Sequence, residues 1–389
     1  MKRAIFGACA LGLATGWNIA NTGAVAQPLA DAYKVGIAAI GLFTTALFVV
    51  HLVMQIPGGR ASDRFGPRRI GLLGLLVIAV GNAVALAASE PGLAIAMRAL
   101  IGVGTGLTFV AGADYVRASG GSPAAQGVYG GVGLAGGGLA LAVVPQAEDW
   151  LDWRAPFATA LVVAVAAVIA LAAGPPDAPR RPQPRKGGAP PEAIFRDVRL
   201  YRLAAVFAAS FGLSVVVGNW VVTLLVRGGD ETKGTAGAIG ALTLLLGVVT
   251  RPLGGWLLRR HPDRMRAVVG ASLAAGAAGT LVLAAAKPLP VAAVGAALVG
   301  LAAGIPFASS FTGAAQARPE APATSLGFVN SAAALTIVAG TPLLGLTFTL
   351  PGDGRIGFLV VAALWGAALL ALPSESELGV VPTAAPESP

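Results

Sequence analysis

Three side chains that carry or can carry positive charge, His51, Arg98 and Arg251, fall inside long apolar stretches of this 389-residue sequence. A guanidinium in an apolar medium costs about 2.5 to 3.5 kcal/mol on insertion scales, so one that persists there has carbonyls, water or an anion to bind. An imidazole in the same setting can carry a proton near neutral pH, or can be hydrogen-bonded inside a helix bundle. None of the eighteen Asp and Glu residues lies in the middle of an apolar stretch. That disfavours a carboxylate relay, the usual proton route of pumps and symporters. With His51 and His261 as the only histidines and Cys9 as the only cysteine, neither a metal site, a cofactor nor the clustered machinery of an intramembrane enzyme is expected.

The elements that hold these residues follow from composition. The chain is 56% hydrophobic and 12% charged, with a mean hydropathy of +0.77, values of a membrane protein. Apolar runs of about 20 residues place twelve spans near residues 4–27, 37–57, 70–88, 92–115, 124–146, 155–174, 203–226, 235–258, 267–286, 291–314, 324–349 and 356–372. With both termini cytoplasmic, the inner segments hold nineteen Lys and Arg and the outer loops six, which sets the orientation. The net charge of +9 is then a topology signal and no sign of nucleic-acid binding. Met1–Arg3, the apolar run after it and Ala24-Val25-Ala26 imitate a secretory signal, but cleavage would leave eleven spans.

Helical spacing groups the polar candidates. His51 shares a stripe with Thr44, Phe48 and Gln55, and Arg98 shares one with Gly102, Thr105 and Phe109. Arg98 either snorkels to the outer surface or faces a cavity. Trp17, Asn18, Asn21, Ser210, Ser214, Asn219, Asn330 and Thr341 are further intramembrane polar groups, able to line a cavity or to join helices. Gly131, Gly133 and Gly136 spell a dinucleotide fingerprint, but no strand precedes them, and close helix packing accounts for them.

The loop PGGRASDRFGPRR, Pro57–Arg69, sits between the second and third spans. Its Gly59, Asp63, Arg64, Gly66, Arg68 and Arg69 fit GxxxDRxGxRR, and the chain thereby resembles the major facilitator superfamily of secondary transporters. Arg98, Gly102, Gly104 and Gly106 in the fourth span, and WRAPF at Trp153–Phe157, fit the same family. The run Tyr129–Gly138 resembles an antiporter glycine motif but lacks its proline, so antiport is not carried over. The resemblance implies an all-α integral membrane protein with twelve transmembrane helices in two pseudo-symmetric six-helix bundles, working by alternating access. It also implies a conformational latch of Gly59, Asp63, Arg64, Gly66, Arg68 and Asp114, with Arg68 paired to Asp114 and Asp63 facing the start of span eleven.

Aligning Gly58-Gly59 with Gly254-Gly255 sets Arg251 opposite Gln55. The nitrate/nitrite porter branch clamps its anion between arginines on spans two and eight; Arg251 resembles the second, and Gln55 replaces the first. The expected organisation is a bundle at 1–174, a proline-rich basic linker at 175–202 resting on lipid headgroups, a bundle at 203–372 and a disordered tail at 373–389. The expected protein is a monomeric, multi-pass transporter of the cell inner (plasma) membrane, not an enzyme. Its substrate is a small anion or organic acid, with a counter-ion or proton as possible partner. The expected substrate-binding residues are Arg251, Arg98, Gln55, His51, Trp17, Asn21 and Asn330. The alternatives are efflux of hydrophobic drugs, and, from another class, an intramembrane enzyme or sensor.

Overall fold

The structure, a computed structural model, describes residues 1–177, 191–229, 232–285 and 288–379. The described residues form helices and turns with no strand, as the bilayer requires of a chain that satisfies its own backbone groups. In order these are α1 (Lys2–Ala20), short α2 (Ala26–Tyr33), α3 (Ile37–Phe65), α4 (Pro67–Ala85), α5 (Pro91–Ala118), α6 (Pro123–Leu151) and α7 (Ala155–Ala172). After the linker come α8 (Val198–Phe207), a π-helical turn (Ala208–Leu213), α9 (Ser214–Gly229), α10 (Lys233–Arg260), α11 (Met265–Ala285), α12 (Leu289–Gly304), α13 (Pro306–Ala317), α14 (Pro322–Leu346) and α15 (Arg355–Ala368).

Nine helical runs among the described residues are long and apolar enough to cross a membrane, and one of them, Pro123–Ala172, contains both α6 and α7. The chain is a multi-pass membrane protein. Val53, Val162, Val249 and Leu343 stand on exposed helix faces, where lipid rather than water is the compatible solvent.

Local chemistry marks the helix limits. Pro67, Pro91, Pro123 and Pro322 open α4, α5, α6 and α14 at positions where a missing N–H costs nothing. Glu90 caps α5 by accepting from Gly92 N and Leu93 N, and those two bonds hold its carboxyl below the usual carboxylate range. Gly66, at φ +97°, makes the turn between α3 and α4. Asp177 then accepts from Arg68 N at 2.9 Å and Arg69 N at 3.3 Å, capping α4 from the start of the linker. Asp177→Ala is expected to cost about 1 kcal/mol, seen as a lower thermal-unfolding midpoint.

Three expectations are corrected. The first span ends at Ala20 and a separate α2 follows; at the helix end Asn21 donates to the Pro156 carbonyl and accepts from Arg98, and Asn18 accepts from Asn82. The tenth span breaks at Ile305, since Pro306 has no N–H to continue α12. The tail from Pro373 packs as far as Leu378, which is fully buried, and Glu377 pairs with Arg202 at 3.3 Å. The basic residues Arg180, Arg181, Arg185 and Lys186 of the linker, and the tail beyond residue 379, lie outside the described residues.

Two packed pairs join the parts of the molecule before and after the linker: α3 lies against α14, and α6 against α10. Glycines set both. A Cβ on Gly59 would strike the Ala323 carbonyl, and one on Gly255 the Pro123 carbonyl. One turn along, a Cβ on Gly327 would strike the Gln55 carbonyl, and one on Gly127 that of Arg251. Gln55 and Arg251 therefore occupy corresponding places at the two joints. Of the fingerprint-like run, Gly131 abuts the Val248 carbonyl at the α6–α10 joint, and Gly136 abuts the Leu13 carbonyl of α1.

Candidate functional site

Arg251 projects from α10 beside the joint with α6. It is 2% exposed, and its Nη1 donates to the Gly130 carbonyl of α6 at 2.8 Å. Nε and Nη2 are buried with no hydrogen-bond partner among the described residues. The guanidinium lies over two rings, with the Phe211 centroid at 4.5 Å and the Phe307 centroid at 4.4 Å from its central carbon. Cation–π attraction favours that position, and no carboxylate among the described residues pairs with it.

Around the guanidinium the aromatic contacts are continuous. Phe307 and Phe311 stack with centroids 4.5 Å apart, and Phe207 and Phe211 at 5.6 Å. Phe207 meets Phe311 edge-on at 5.1 Å. Phe109 of α5 touches both Phe311 and Tyr129 at 6.1 Å, and carries the chain of rings on to His51 at 6.1 Å. Phe207, Phe211, Phe307 and Phe311 escaped the sequence reading, although Phe207 with Phe211 and Phe307 with Phe311, each four apart, present paired rings on one helix face. Phe211 sits in the π-helical turn Ala208–Leu213, an irregularity found often at functional sites.

Arg98 occupies a different cluster. It is fully buried, with Nε donating to the Phe43 carbonyl, Nη1 to Asn21 Oδ1 and Nη2 to the Asn18 carbonyl at 3.3, 3.1 and 2.8 Å. Asn21 also donates to the Pro156 carbonyl, and Asn82 donates to Asn18 Oδ1, each at 2.9 Å. Trp17 donates from Nε1 to Thr159 at 3.3 Å. This network ties α1 to α3, α4, α5 and α7; the structure does not bring Arg98, Trp17 or Asn21 to Arg251. Neither snorkelling nor an open cavity describes Arg98. Arg98→Met removes three charge-assisted hydrogen bonds, to Asn21 Oδ1 and to two carbonyls, an expected loss of about 3 kcal/mol or more. The check is a collapse of the monodisperse fraction on size exclusion, with an unchanged transport KM in whatever remains folded.

His51 is 4% exposed and pairs its Nδ1 with Thr105 Oγ1 at 3.1 Å. Gln55 donates to the His51 carbonyl at 3.0 Å, while its Oε1 is buried without a partner among the described residues. Asn330 lies on α14 one turn from Gly327, which packs on Gln55. Asn219 donates to Thr341 at 3.1 Å, joining α9 to α14.

The latch residues gather at one end of the α3–α14 joint. Asp63 accepts from Ala323 N, Thr324 N and Thr324 Oγ1 at 3.0, 2.8 and 2.5 Å, so a carboxylate from the signature loop caps α14. Arg68 does not follow its expected course: its guanidinium donates to the Leu171 and Ala172 carbonyls at the end of α7, where bare carbonyls favour a cation. Asp114 accepts from Arg117 at 2.6 Å and Ser62 at 2.9 Å. Arg64 lies over the Phe65 ring at 5.0 Å.

Residues 6–341 match the family model described as Major Facilitator Superfamily. The chain belongs to the major facilitator superfamily. It is a membrane transporter of the alternating-access kind and not an enzyme. The human organic anion transporter MFSD10 (TETRAN) superposes with a TM-score of 0.72 at 20% identity, over 96% of this chain and 99% of that one. FucP, in the outward conformation, gives a TM-score of 0.70 at 16% identity over 94% and 97%. At these identities the likeness is one of fold. An uncharacterized MFS-type transporter, Rv1250 of Mycobacterium tuberculosis, is 36% identical over 85 residues, a stretch that spans 22% of this chain and 15% of that relative.

Proposed function

We propose that this superfamily member carries a small anion or organic acid, held by Arg251. The observation that carries the reading is a buried guanidinium with two donor nitrogens unpartnered among the described residues and no carboxylate beside it. Its placement adds support: Arg251 belongs to α10 yet bonds to α6, so cargo on it would sit at the joint between the parts that move. The second-arginine resemblance to nitrate/nitrite porters points the same way, with Gln55 in place of the first.

In this reading twelve helices cross the cell inner (plasma) membrane, α1 and α15 included, in two six-helix halves at 1–174 and 203–372, both termini cytoplasmic. The Asp63 cap then closes the cytoplasmic side, and the molecule faces outward. Arg98 belongs to the scaffold of the first half. His51, whose Nδ1 is engaged by Thr105, is the residue placed to take up a proton if transport is coupled to one. The fold likeness to a human organic anion transporter is compatible with this cargo. The continuous Phe cluster favours one other reading, efflux of uncharged hydrophobic compounds. Counterflow in proteoliposomes separates the two: anions should exchange across a panel of anionic, neutral and cationic solutes, whereas exchange of neutral or cationic compounds alone rejects the anion reading.

A further inference from the structure

Resting on that reading of Arg251, we infer that the cargo is an organic monocarboxylate with an apolar body, gripped through both carboxylate oxygens by Nε and Nη2. The guanidinium lies over the Phe211 and Phe307 rings. Its N–H bonds lie in its own plane, so an anion is held from that plane. Nη1 is engaged by the Gly130 carbonyl, which leaves Nε and Nη2, the side-on edge of the group. That edge presents two parallel N–H bonds at the spacing of two carboxylate oxygens, a planar fork that a lysine could not supply.

Charge count and surroundings narrow the class. Among the described residues the other buried guanidinium, Arg98, has a partner on each nitrogen, and no lysine is buried. The site balances one negative charge, so a dicarboxylate or a doubly charged phosphate would bring a buried charge with no counter-charge. Phe207, Phe307 and Phe311 are essentially buried rings in contact with one another beside the guanidinium. Their surface offers a small hydrated anion nothing in return for its lost water, while it rewards an apolar body. Gly130 contributes by its size, since a Cβ there would run into the Phe307 ring that lies across it.

The edge is shielded from solvent in this state, so binding requires a ring to move. Phe211 is the ring carried on the π-helical turn, and it is the one expected to swing aside and close again over the ligand. The class also fixes how the site discriminates: the carboxylate supplies orientation, and the rings supply preference among tails.

The test is competition for counterflow by unmodified protein in proteoliposomes, with benzoate, hexanoate, nitrate, phosphate and succinate as probes. Benzoate and hexanoate are expected to bind at least about tenfold more tightly than the other three, and Phe211→Leu and Phe307→Leu to weaken benzoate about tenfold more than they weaken nitrate. Equal or tighter binding of nitrate, phosphate or succinate overturns the monocarboxylate inference while leaving an anion site standing. Failure of every anion, with neutral or cationic compounds exchanged instead, overturns the inference and the function proposed above together. The probe comparison needs no variant, so a Phe replacement that fails to fold does not remove the test.

Discussion

Arg251→Ala is expected to lower the affinity for the carried anion by at least about a hundredfold, and uptake at limiting substrate by the same factor. A hydrogen bond to a charged group is worth about 1.5 to 3 kcal/mol. Losing a two-pronged contact therefore removes about 3 kcal/mol or more, and each 1.4 kcal/mol is tenfold. Arg251→Lys keeps the charge but offers a point instead of a fork, and should recover no more than about a tenth of wild-type uptake. Both variants also remove the guanidinium that donates to the Gly130 carbonyl and lies over Phe211 and Phe307. Each is therefore compared with wild type for thermal midpoint and monodispersity. A loss of uptake in protein that melts normally assigns the effect to the cargo.

Asp63→Ala is expected to open the end of the molecule that Asp63 now closes. Its carboxylate makes three hydrogen bonds to Ala323 and Thr324, and these bonds exist only while the start of α14 lies against α3. Loss of even one charge-assisted bond, about 1.5 to 3 kcal/mol, shifts a two-state equilibrium roughly 10- to 100-fold. Ser325, fully buried next to Thr324, reports on that shift. With Cys9 replaced by serine to remove the native thiol, a Ser325→Cys probe should react slowly with a membrane-permeant maleimide in the otherwise wild-type chain. In the Asp63→Ala background it should react at least about tenfold faster. Equal rates would mean that the cap is incidental to closure. Uptake should fall in parallel, because a transporter that rests in one state cannot return its empty site.

The long elements could be read from the sequence for a simple reason: a span needs only length and apolarity, and prolines and capping side chains mark where helices begin. Arg251 stood out for the same kind of reason, as a charge without a carboxylate in an apolar run. Its surroundings did not, since Phe211 and Phe307 come from helices far apart in sequence, and only packing brings both rings to the guanidinium. Arg98 shows the limit from the other side. Its depth was legible, but its role depended on Asn18, Asn21 and Phe43 arriving from α1 and α3 to use up its nitrogens. Arg68 was assigned to a carboxylate by family pattern, whereas its long side chain found the end of α7. The break after Ala20 was hidden because hydropathy does not register an asparagine whose amide is needed by a neighbouring helix.

The most direct test is counterflow of the best-carried anion, measured side by side in proteoliposomes containing equal amounts of folded wild-type and Arg251→Ala protein. Saturable exchange by the wild type that falls at least about a hundredfold in the variant is the result this account predicts. Exchange that persists unchanged in Arg251→Ala would contradict it.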